Sequence, residues 1–293
     1  MNKRPDAVLI AGPTASGKTS AALELAEALD GEIINADSMQ VYPVLNVLTA
    51  RPGAPELDRV PHHLYGHAPL DQPYSVAHWL SDVAPVFEDI VSRNKVPLFV
   101  GGTGLYFTAL IDGLAEVPPI PQELRESVRA DLKAHGSQWM HGRLAEHDAE
   151  GALALKPGDS HRIARALEVV LATGKPLAHF HKNQSPGLLQ NVSRRQLMLM
   201  PDRAELHRRI NQRSGEMLAS GAIQEVESLL ALGLPDNATV LRAIGVSQVA
   251  AYIGGNISLQ ECENKLQIAT RQYAKRQATW FNNRFFDWKI HKS

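Results

Sequence analysis

The stretch Gly12-Pro-Thr-Ala-Ser-Gly-Lys-Thr19 constrains this chain more than any other. It fits G-x-x-x-x-G-K-[ST], and its flanks agree with it. Ala7-Val-Leu-Ile-Ala11 is a continuous apolar run that reads as a buried strand. Thr19 to Leu29 is rich in strong helix formers. Strand, glycine loop and helix together turn the N–H groups of a helix N-terminus onto an anion, and Lys18 adds a point charge. A plain glycine-rich turn accounts for the glycines but not for Lys18 followed by Thr19. Gly12, Pro13, Thr14, Ala15, Ser16, Gly17, Lys18 and Thr19 are therefore expected to cradle a phosphate or pyrophosphate. Thr19 is placed to hold Mg²⁺ through its hydroxyl, and Thr14 and Ser16 add hydroxyl donors.

The rest of the chain repeats this grammar and then departs from it. Gly31 to Asn35 reads as a second strand, delivering Ala36-Asp-Ser-Met-Gln-Val-Tyr42 at its carboxyl end. Residues 43–74 are proline-punctuated and loop-like. Ser75 to Asn94 reads as a helix with Ser75 as its N-cap. Val96 to Val100 is a third strand, followed by Gly101-Gly-Thr-Gly104 and a helix from Leu105. Alternation of this kind implies a parallel sheet with helices on its faces, and ligands of such sheets sit at the carboxyl ends of the strands. All three motifs fall there. Pro118-Pro-Ile-Pro121 breaks the pattern, and from Gln122 to about Phe180 everything reads as helix. Arg195 to Met200 then resembles a strand returning to the sheet, and 202–232 and 258–282 are long helical segments. In the last of these, Leu266, Ala269, Tyr273 and Trp280 share one stripe, with Arg271 and Lys275 opposite. The expected fold is α/β, a P-loop NTPase-like parallel sheet flanked by helices, with an all-helical insertion. The core is expected over 1–117 and 190–293, the insertion over 118–189.

Composition excludes several classes. At 44% apolar and 21% charged residues the chain is globular and soluble, not disordered. No uninterrupted apolar run is long enough to span a bilayer, and the short N-terminal run is no signal peptide, so no membrane partner is expected. A single cysteine, Cys262, rules out an internal disulfide framework and fits a reducing cytoplasm. It lies in a polar helical segment and reads as incidental. A net charge of −1 argues against a general nucleic-acid binder, yet the charge is unevenly spread. Arg271, Lys275, Arg276, Arg284, Lys289 and Lys292 face only Asp287 at the C-terminal end. Arg194, Arg195, Arg203, Arg208, Arg209 and Arg213 form a second cluster. Local basic patches on a neutral protein suit a specific polyanion, or else they are solvated helix faces.

Other residues admit chemistry with more than one reading. Asp37 follows a strand directly: its carboxylate can hold Mg²⁺, accept a proton from a nucleophile, or close an Asx turn. Thr103 can reach across to a phosphate. His161-Arg-Ile-Ala-Arg165 lies on a helix whose buried stripe is Ile163, Leu167 and Val170. His161, Arg162 and Arg165 can clamp backbone phosphates, or pair with Glu168 and its neighbours. His62, His63 and His67 match no standard zinc spacing and sit in a loop-like context, which favours a non-metal role. On these grounds alone a P-loop small-molecule kinase stays open.

The motif set resembles that of the tRNA dimethylallyltransferases, or tRNA isopentenyltransferases. The matching stretches run in family order over almost the whole chain: Gly12 to Thr19, Ile34-Asn-Ala-Asp-Ser-Met-Gln-Val-Tyr42, Val60-Pro-His-His-Leu64, Pro73-Tyr-Ser-Val-Ala77, Val100-Gly-Gly-Thr-Gly-Leu-Tyr106, Arg162-Ile-Ala-Arg-Ala-Leu-Glu168, Arg242-Ala-Ile-Gly245 and Thr270 to Phe281. The resemblance implies transfer of a dimethylallyl group from dimethylallyl diphosphate to N6 of the adenosine immediately 3′ of a tRNA anticodon, with diphosphate released. It implies that the P-loop holds the donor's pyrophosphate with Mg²⁺, and that the target base is flipped into a channel.

By the same resemblance Asp37 is the base, Thr103 lies near the bridging oxygen and Arg242 on the diphosphate. Ser38, Met39 and Gln40 lie near the flipped base. Arg125 and the segment His161, Arg162, Ile163, Ala164, Arg165 contact the anticodon arm. The insertion would clamp the anticodon stem-loop and the basic C-terminal helix would meet its phosphates. No obligate protein partner is implied, and nothing suggests an obligate oligomer. His161 stands where the family usually has Gln, Asn46 replaces an acid, and Val246-Ser247 replace an aromatic–basic pair. The zinc finger of eukaryotic relatives is missing, which favours the bacterial type. The nearest rival is an adenylate isopentenyltransferase acting on free AMP, ADP or ATP, and the RNA-binding insertion weighs against it.

Overall fold

Ala7–Ala11 forms β1, the strand on which the rest of the sheet is hung, and each of its residues is fully shielded from solvent. Such a run, apolar without alternation, is what a parallel strand covered on both faces requires. A computed structural model describes residues 4–182 and 184–291; Lys292, counted above among the basic C-terminal residues, lies outside them. The chain divides into two units, one running to Leu110 and resuming at Leu188, the other Ile111–Gly187.

In chain order β1 is followed by α1 (Lys18–Leu29), β2 (Gly31–Asn35), α2 (Ala54–Leu57), β3 (His62–His63), α3 (Val76–Ser92), β4 (Val96–Gly101) and α4 (Gly104–Asp112). The second unit supplies α5 (Gln122–His147), α6 (Ala149–Leu153), α7 (Ser160–Thr173) and α8 (Leu177–His181). The first unit then resumes with β5 (Arg194–Leu199), α9 (Arg203–Ala219), α10 (Ala222–Ala231), a 3₁₀ turn at Thr239–Arg242, α11 (Val246–Ile253), α12 (Leu259–Arg284) and β6 (Lys289–His291). Among the described residues six strands make one sheet in the order β3-β2-β4-β1-β5-β6, every pair parallel. This is the P-loop NTPase-like α/β arrangement.

Register brings the motifs together. Ala11 pairs with Gly101 on β4, and Asn35 at the end of β2 pairs with Val100. The loops that leave β1, β2 and β4 therefore start side by side at the carboxyl edge. The core beneath is built from Val8, Ile10, Leu23, Ile33, Leu98 and Leu197 with their neighbours. In the second unit Val128, Met140, Leu144, Ile163 and Leu167 close a separate core.

Several expectations are corrected. Residues 43–74 are not all loop: α2 and the two-residue edge strand β3 lie there, and His62 and His63 pair with Ile33 and Ile34. The 202–232 segment is two helices, broken where Gly221 takes φ 117°. The long run from Gln122 is likewise interrupted, at Gly136 with φ 80° and ψ 174°, a left-handed excursion that glycine makes at least cost. The second unit begins within α4, upstream of the Pro118 break. On α12 the buried stripe is Cys262, Leu266, Ala274, Gln277 and Phe281, and Trp280 is 45% exposed. Cys262 is thus a core side chain.

Candidate active site

The P-loop is shaped by three left-handed or inverted residues: Gly12 at φ 158°, Ala15 at 63° and Gly17 at 88°. A side chain at Gly12 would sit 2.4 Å from the Leu199 carbonyl oxygen, so the loop passes too close to β5 for anything larger. Lys18 folds over this loop and donates to the carbonyls of Gly12 at 3.0 Å and Pro13 at 2.7 Å, two of its three donors. Burial pulls the Lys18 ammonium down to about 8, against the opposing field of the Asp37 carboxylate.

The loop is braced by side chains from far along the chain. Gln277 on α12 accepts the Thr14 amide at 2.9 Å and donates to the Gly102 carbonyl at 2.8 Å. It thereby ties the loop after β1 to the loop after β4. Close approach explains the glycines there: a side chain at Gly102 would meet the Gln277 amide, at Gly104 the Trp280 indole, and at Gly101 the backbone of Ala36. Arg213 on α9 donates to the Thr14 hydroxyl. Its guanidinium is buried, which lowers its pKa, with Asp37 pulling the other way.

Asp37 is held from below. The buried amide of Asn35 accepts the Asp37 N–H at 2.9 Å and donates to the carbonyls of Asp37 and Leu64, both at 3.0 Å. Trp79 on α3, fully buried and stacked on Tyr106, donates its indole N–H to the Asn35 carbonyl at 2.9 Å. The Asp37 carboxylate accepts the Met39 N–H at 2.9 Å. The Asx turn is therefore real, and it coexists with a place in the site. The charge of Asp37 is felt beyond Lys18 and Arg213: burial and that carboxylate together raise the phenols of Tyr65 and Tyr273.

Two cavities meet at Asp37. The first, of about 320 Å³, is lined by Thr14 to Thr19, Asp37, Gln40, Tyr65, Arg209 and Arg213. Its cations and loop amides make it an anion site. The second, of about 310 Å³, is lined by Ser38, Met39, Leu48, Met217, Leu266, Tyr273, Arg242 and Arg276. Thr14, Asp37, Thr49 and Arg213 line both.

The placement of the sequence candidates differs from the expectation in places. The P-loop residues, Asp37, Ser38, Met39 and Gln40 converge as expected. Thr103 lines neither cavity: its hydroxyl accepts the Ser38 N–H at 2.9 Å and donates to the Ser38 hydroxyl at 3.2 Å. Arg242 lines the second cavity, while the P-loop cavity holds Arg209 and Arg213. Those two were counted only as part of a basic cluster. Their spacing of four on one helix face was the available signal. In the helical unit Arg125, His161 and Arg162 are exposed, and Arg165 lies 3.5 Å from Glu168. Ile163 and Ala164 are core side chains, so neither presents a side chain to a ligand. Among the described residues no cluster of three or more His, Cys, Asp or Glu is arranged to hold a metal ion. No described helix is long and apolar enough to cross a membrane.

Comparison with known proteins shows the family. A family model described as IPP transferase matches residues 40–284, and one described as isopentenyl transferase matches residues 5–67. The chain is 50% identical over 278 residues to a tRNA dimethylallyltransferase of Rhizobium etli, covering 95% of this chain and 94% of that one. It is 48% identical over 282 residues to that of Agrobacterium fabrum, covering 96% and 95%. Its fold is similar to a full-length tRNA isopentenylpyrophosphate transferase from Bacillus halodurans, with TM-score 0.68 and 33% identity over 99% of this chain and 90% of that one. It is also similar to a eukaryotic dimethylallyltransferase acting on tRNA, with TM-score 0.82 and 27% identity over 98% of this chain and 73% of the other.

Proposed function

Because the chain belongs to the IPP transferase family, whose members include the tRNA dimethylallyltransferases, we propose that it carries a dimethylallyl group from dimethylallyl diphosphate to N6 of the adenosine 3′ to a tRNA anticodon. It is a prenyl-transferring, tRNA-modifying enzyme. The observation that carries the finer reading is that Asp37 lines both the anion cavity and the second cavity. A carboxylate at that junction stands between an activated donor on one side and an acceptor on the other.

In this reading the donor's diphosphate sits on the P-loop amides, Lys18 and Arg213. The adenine N6 attacks C1 of the allyl group, the C1–O bond breaks, and diphosphate leaves with the electron pair. Lys18 and Arg213 stabilise the negative charge that develops on the leaving group. The N6 proton passes to the Asp37 carboxylate, because the exocyclic amine is a poor nucleophile until it loses that proton. Thr103 acts through Ser38, whose backbone it fixes, and Arg242 faces the acceptor side.

Mg²⁺ fits this site as an ion carried mainly by phosphate oxygens and water. Thr19 offers a hydroxyl in a cavity that also holds one carboxylate, and Mg²⁺ commonly takes few protein ligands beside a polyphosphate. Bound there with the Thr19 hydroxyl, it would neutralise diphosphate charge. On the helical unit Arg125 and Arg162 are among the exposed cations that would meet the phosphates of the anticodon arm, with Arg165, 3.5 Å from Glu168, on the same helix as Arg162.

The test is to offer labelled dimethylallyl diphosphate and Mg²⁺ with unmodified tRNA and, separately, AMP. Label in tRNA, abolished in Asp37→Ala, is the expected result. Label in AMP alone transfers the assignment to the adenylate enzymes. Consumption of ATP with a small alcohol, and no label in either acceptor, would return it to the kinases.

A further inference from the structure

Residues 45–51 fold into a tight strap. The Thr49 hydroxyl donates to the Leu45 carbonyl, the Ala50 amide to Val47 at 3.0 Å, and the Arg51 amide to Asn46 at 2.9 Å. Ala50 adopts φ 52°, a left-handed turn that an alanine holds only under constraint. From the cavity side Gln40 grips the strap, donating to the carbonyls of Thr49 at 2.9 Å and Ala50 at 3.0 Å.

On the other side the grip comes from Glu225 on α10. One carboxylate oxygen accepts the N–H groups of Asn46 at 2.8 Å and Val47 at 2.7 Å, and the other accepts that of Leu48 at 3.0 Å. Successive backbone amides converging in this way make an anion nest, here filled by the protein's own carboxylate. Charge-assisted bonds of this kind are roughly twice as strong as neutral ones.

What the strap walls gives Glu225 its meaning. Thr49 lines both cavities, Leu48 the second and Ala50 the first. Asn46 is exposed, whereas Leu48 is buried against Gly245, where an added side-chain carbon would lie 2.5 Å from it. The strap thus turns one side to water and the other to the junction at Asp37. An allylic diphosphate is open to any nucleophile once its C1–O bond weakens, and water at that junction competes with the amine.

We propose that Glu225 is a positioning residue that pins the 45–51 strap as the water-excluding wall of the transfer site. The inference rests on the functional reading above. When the wall loosens, a water oxygen bonds to C1, the C1–O bond to diphosphate breaks and diphosphate takes its electron pair. The water's proton goes to solvent, and dimethylallyl alcohol forms in place of prenylated tRNA.

The experiment compares diphosphate released with label transferred to tRNA, in the wild type, Glu225→Gln and Glu261→Gln. Glutamine matches glutamate in size but keeps one accepting oxygen, so the amides of Asn46, Val47 and Leu48 cannot all be held. Glu261 accepts a backbone amide at the start of α12, 2.8 Å from Ser258, and controls for general loss of a helix-end bond. Wild type and Glu261→Gln are expected to release one diphosphate per group transferred. Glu225→Gln is expected to release several-fold more diphosphate per group transferred than wild type, as a site opened to water should, with a raised KM for the donor and less change in kcat. If Glu225→Gln does not fold, Glu225→Asp withdraws the same charge by one methylene and should uncouple in the same direction. Transfer that stays fully coupled in the Glu225 variant overturns the strap's role, as does equal uncoupling in Glu261→Gln. A wild type that transfers nothing to tRNA overturns the functional reading, and the strap's role with it.

Discussion

The polar side chains around the P-loop and the cations that the motif marks on the helical unit are placed in opposite ways. Around the P-loop, Lys18, Thr14, Gln277, Arg213, Asn35 and Asp37 are engaged with one another or with backbone before any ligand is considered. In the helical unit Arg125, His161 and Arg162 stand exposed, and the Arg162 guanidinium comes no nearer to Asp159 than 3.9 Å. The first pattern suits bond breaking, where charges must be in place when the leaving group forms and pay no reorganisation then. The second suits gripping a hydrated polyanion, where long cations exchange counterions for phosphates. On the proposed function, the contrast predicts that rate is set in the first unit and that the exposed cations of the second contribute affinity.

The largest effect should come from Asp37→Asn, which keeps the shape of the Asx turn and removes the proposed base. Loss of a positioned general base costs about 10²- to 10⁴-fold, and here the loss should fall on kcat. The tRNA dissociation constant, from direct binding, should stay within about twofold, since a neutral isostere removes no phosphate contact. A parallel loss in binding and rate would break the contrast. Next comes Lys18→Ala, expected to lower kcat/KM for the donor by about 10²- to 10³-fold, as for other donors aimed at a developing anion. The wild type should also show a falling limb of donor kcat/KM above pH of about 8, because the buried Lys18 ammonium loses its proton there. The charged form is the low-pH form, so activity is present below that value and lost above it. Lys18→Arg should abolish the limb even where it lowers the rate, because guanidinium stays protonated.

How far the sequence could be read follows the same divide. The strands β1, β2 and β4 and the loops after them were legible because a parallel, doubly covered strand must be a continuous apolar run and its loop must carry the special residues. Asp37 was legible as a candidate and ambiguous in role, and the structure explains why: its carboxylate closes the turn and lines both cavities. Gln277 and Arg213 lie far in sequence from the loop they brace. Only the packing of α12 and α9 together beside the P-loop gives them a role, and periodicity cannot supply that. Arg242 lines the second cavity, which shares Thr14, Asp37, Thr49 and Arg213 with the anion cavity. Edge strand β3, two residues long, carries too little pattern to be seen. Ile163 was grouped with its exposed neighbours by motif, although the helical stripe already marked it as core.

Helix α12 holds both behaviours, so it sharpens the contrast at close range. Gln277 faces the P-loop and Lys275, two residues earlier, is exposed. Gln277→Ala strands the Thr14 amide and the Gly102 carbonyl, and an unmade buried bond costs about 1–3 kcal/mol. Donor kcat/KM should fall about tenfold, as expected when a supporting group beyond the first contact layer is lost, with tRNA affinity nearly unchanged. Lys275→Ala should show the reverse.

The smallest effect is the most specific to the helical unit. Arg162→Ala removes one exposed cation, 72% accessible, from the first turn of α7. Its only partner among the described residues is the long contact to Asp159, so the fold should not notice the loss. If Arg162 meets a phosphate, tRNA binding should weaken several-fold at low salt, and the difference should shrink as salt rises. One phosphate contact contributes about 0.7 to 0.9 to the slope of log K against log salt, so the variant's slope should be shallower by about that amount. kcat at saturating tRNA should be unchanged, because no group near the reacting atoms has moved. Measuring the binding constant across a salt series separates the outcomes. A shallower slope with unchanged kcat supports affinity as the work of the helical unit. An unchanged slope removes Arg162 from the interface, and a fall in kcat would mean that the helical unit also governs how the base is presented to Asp37.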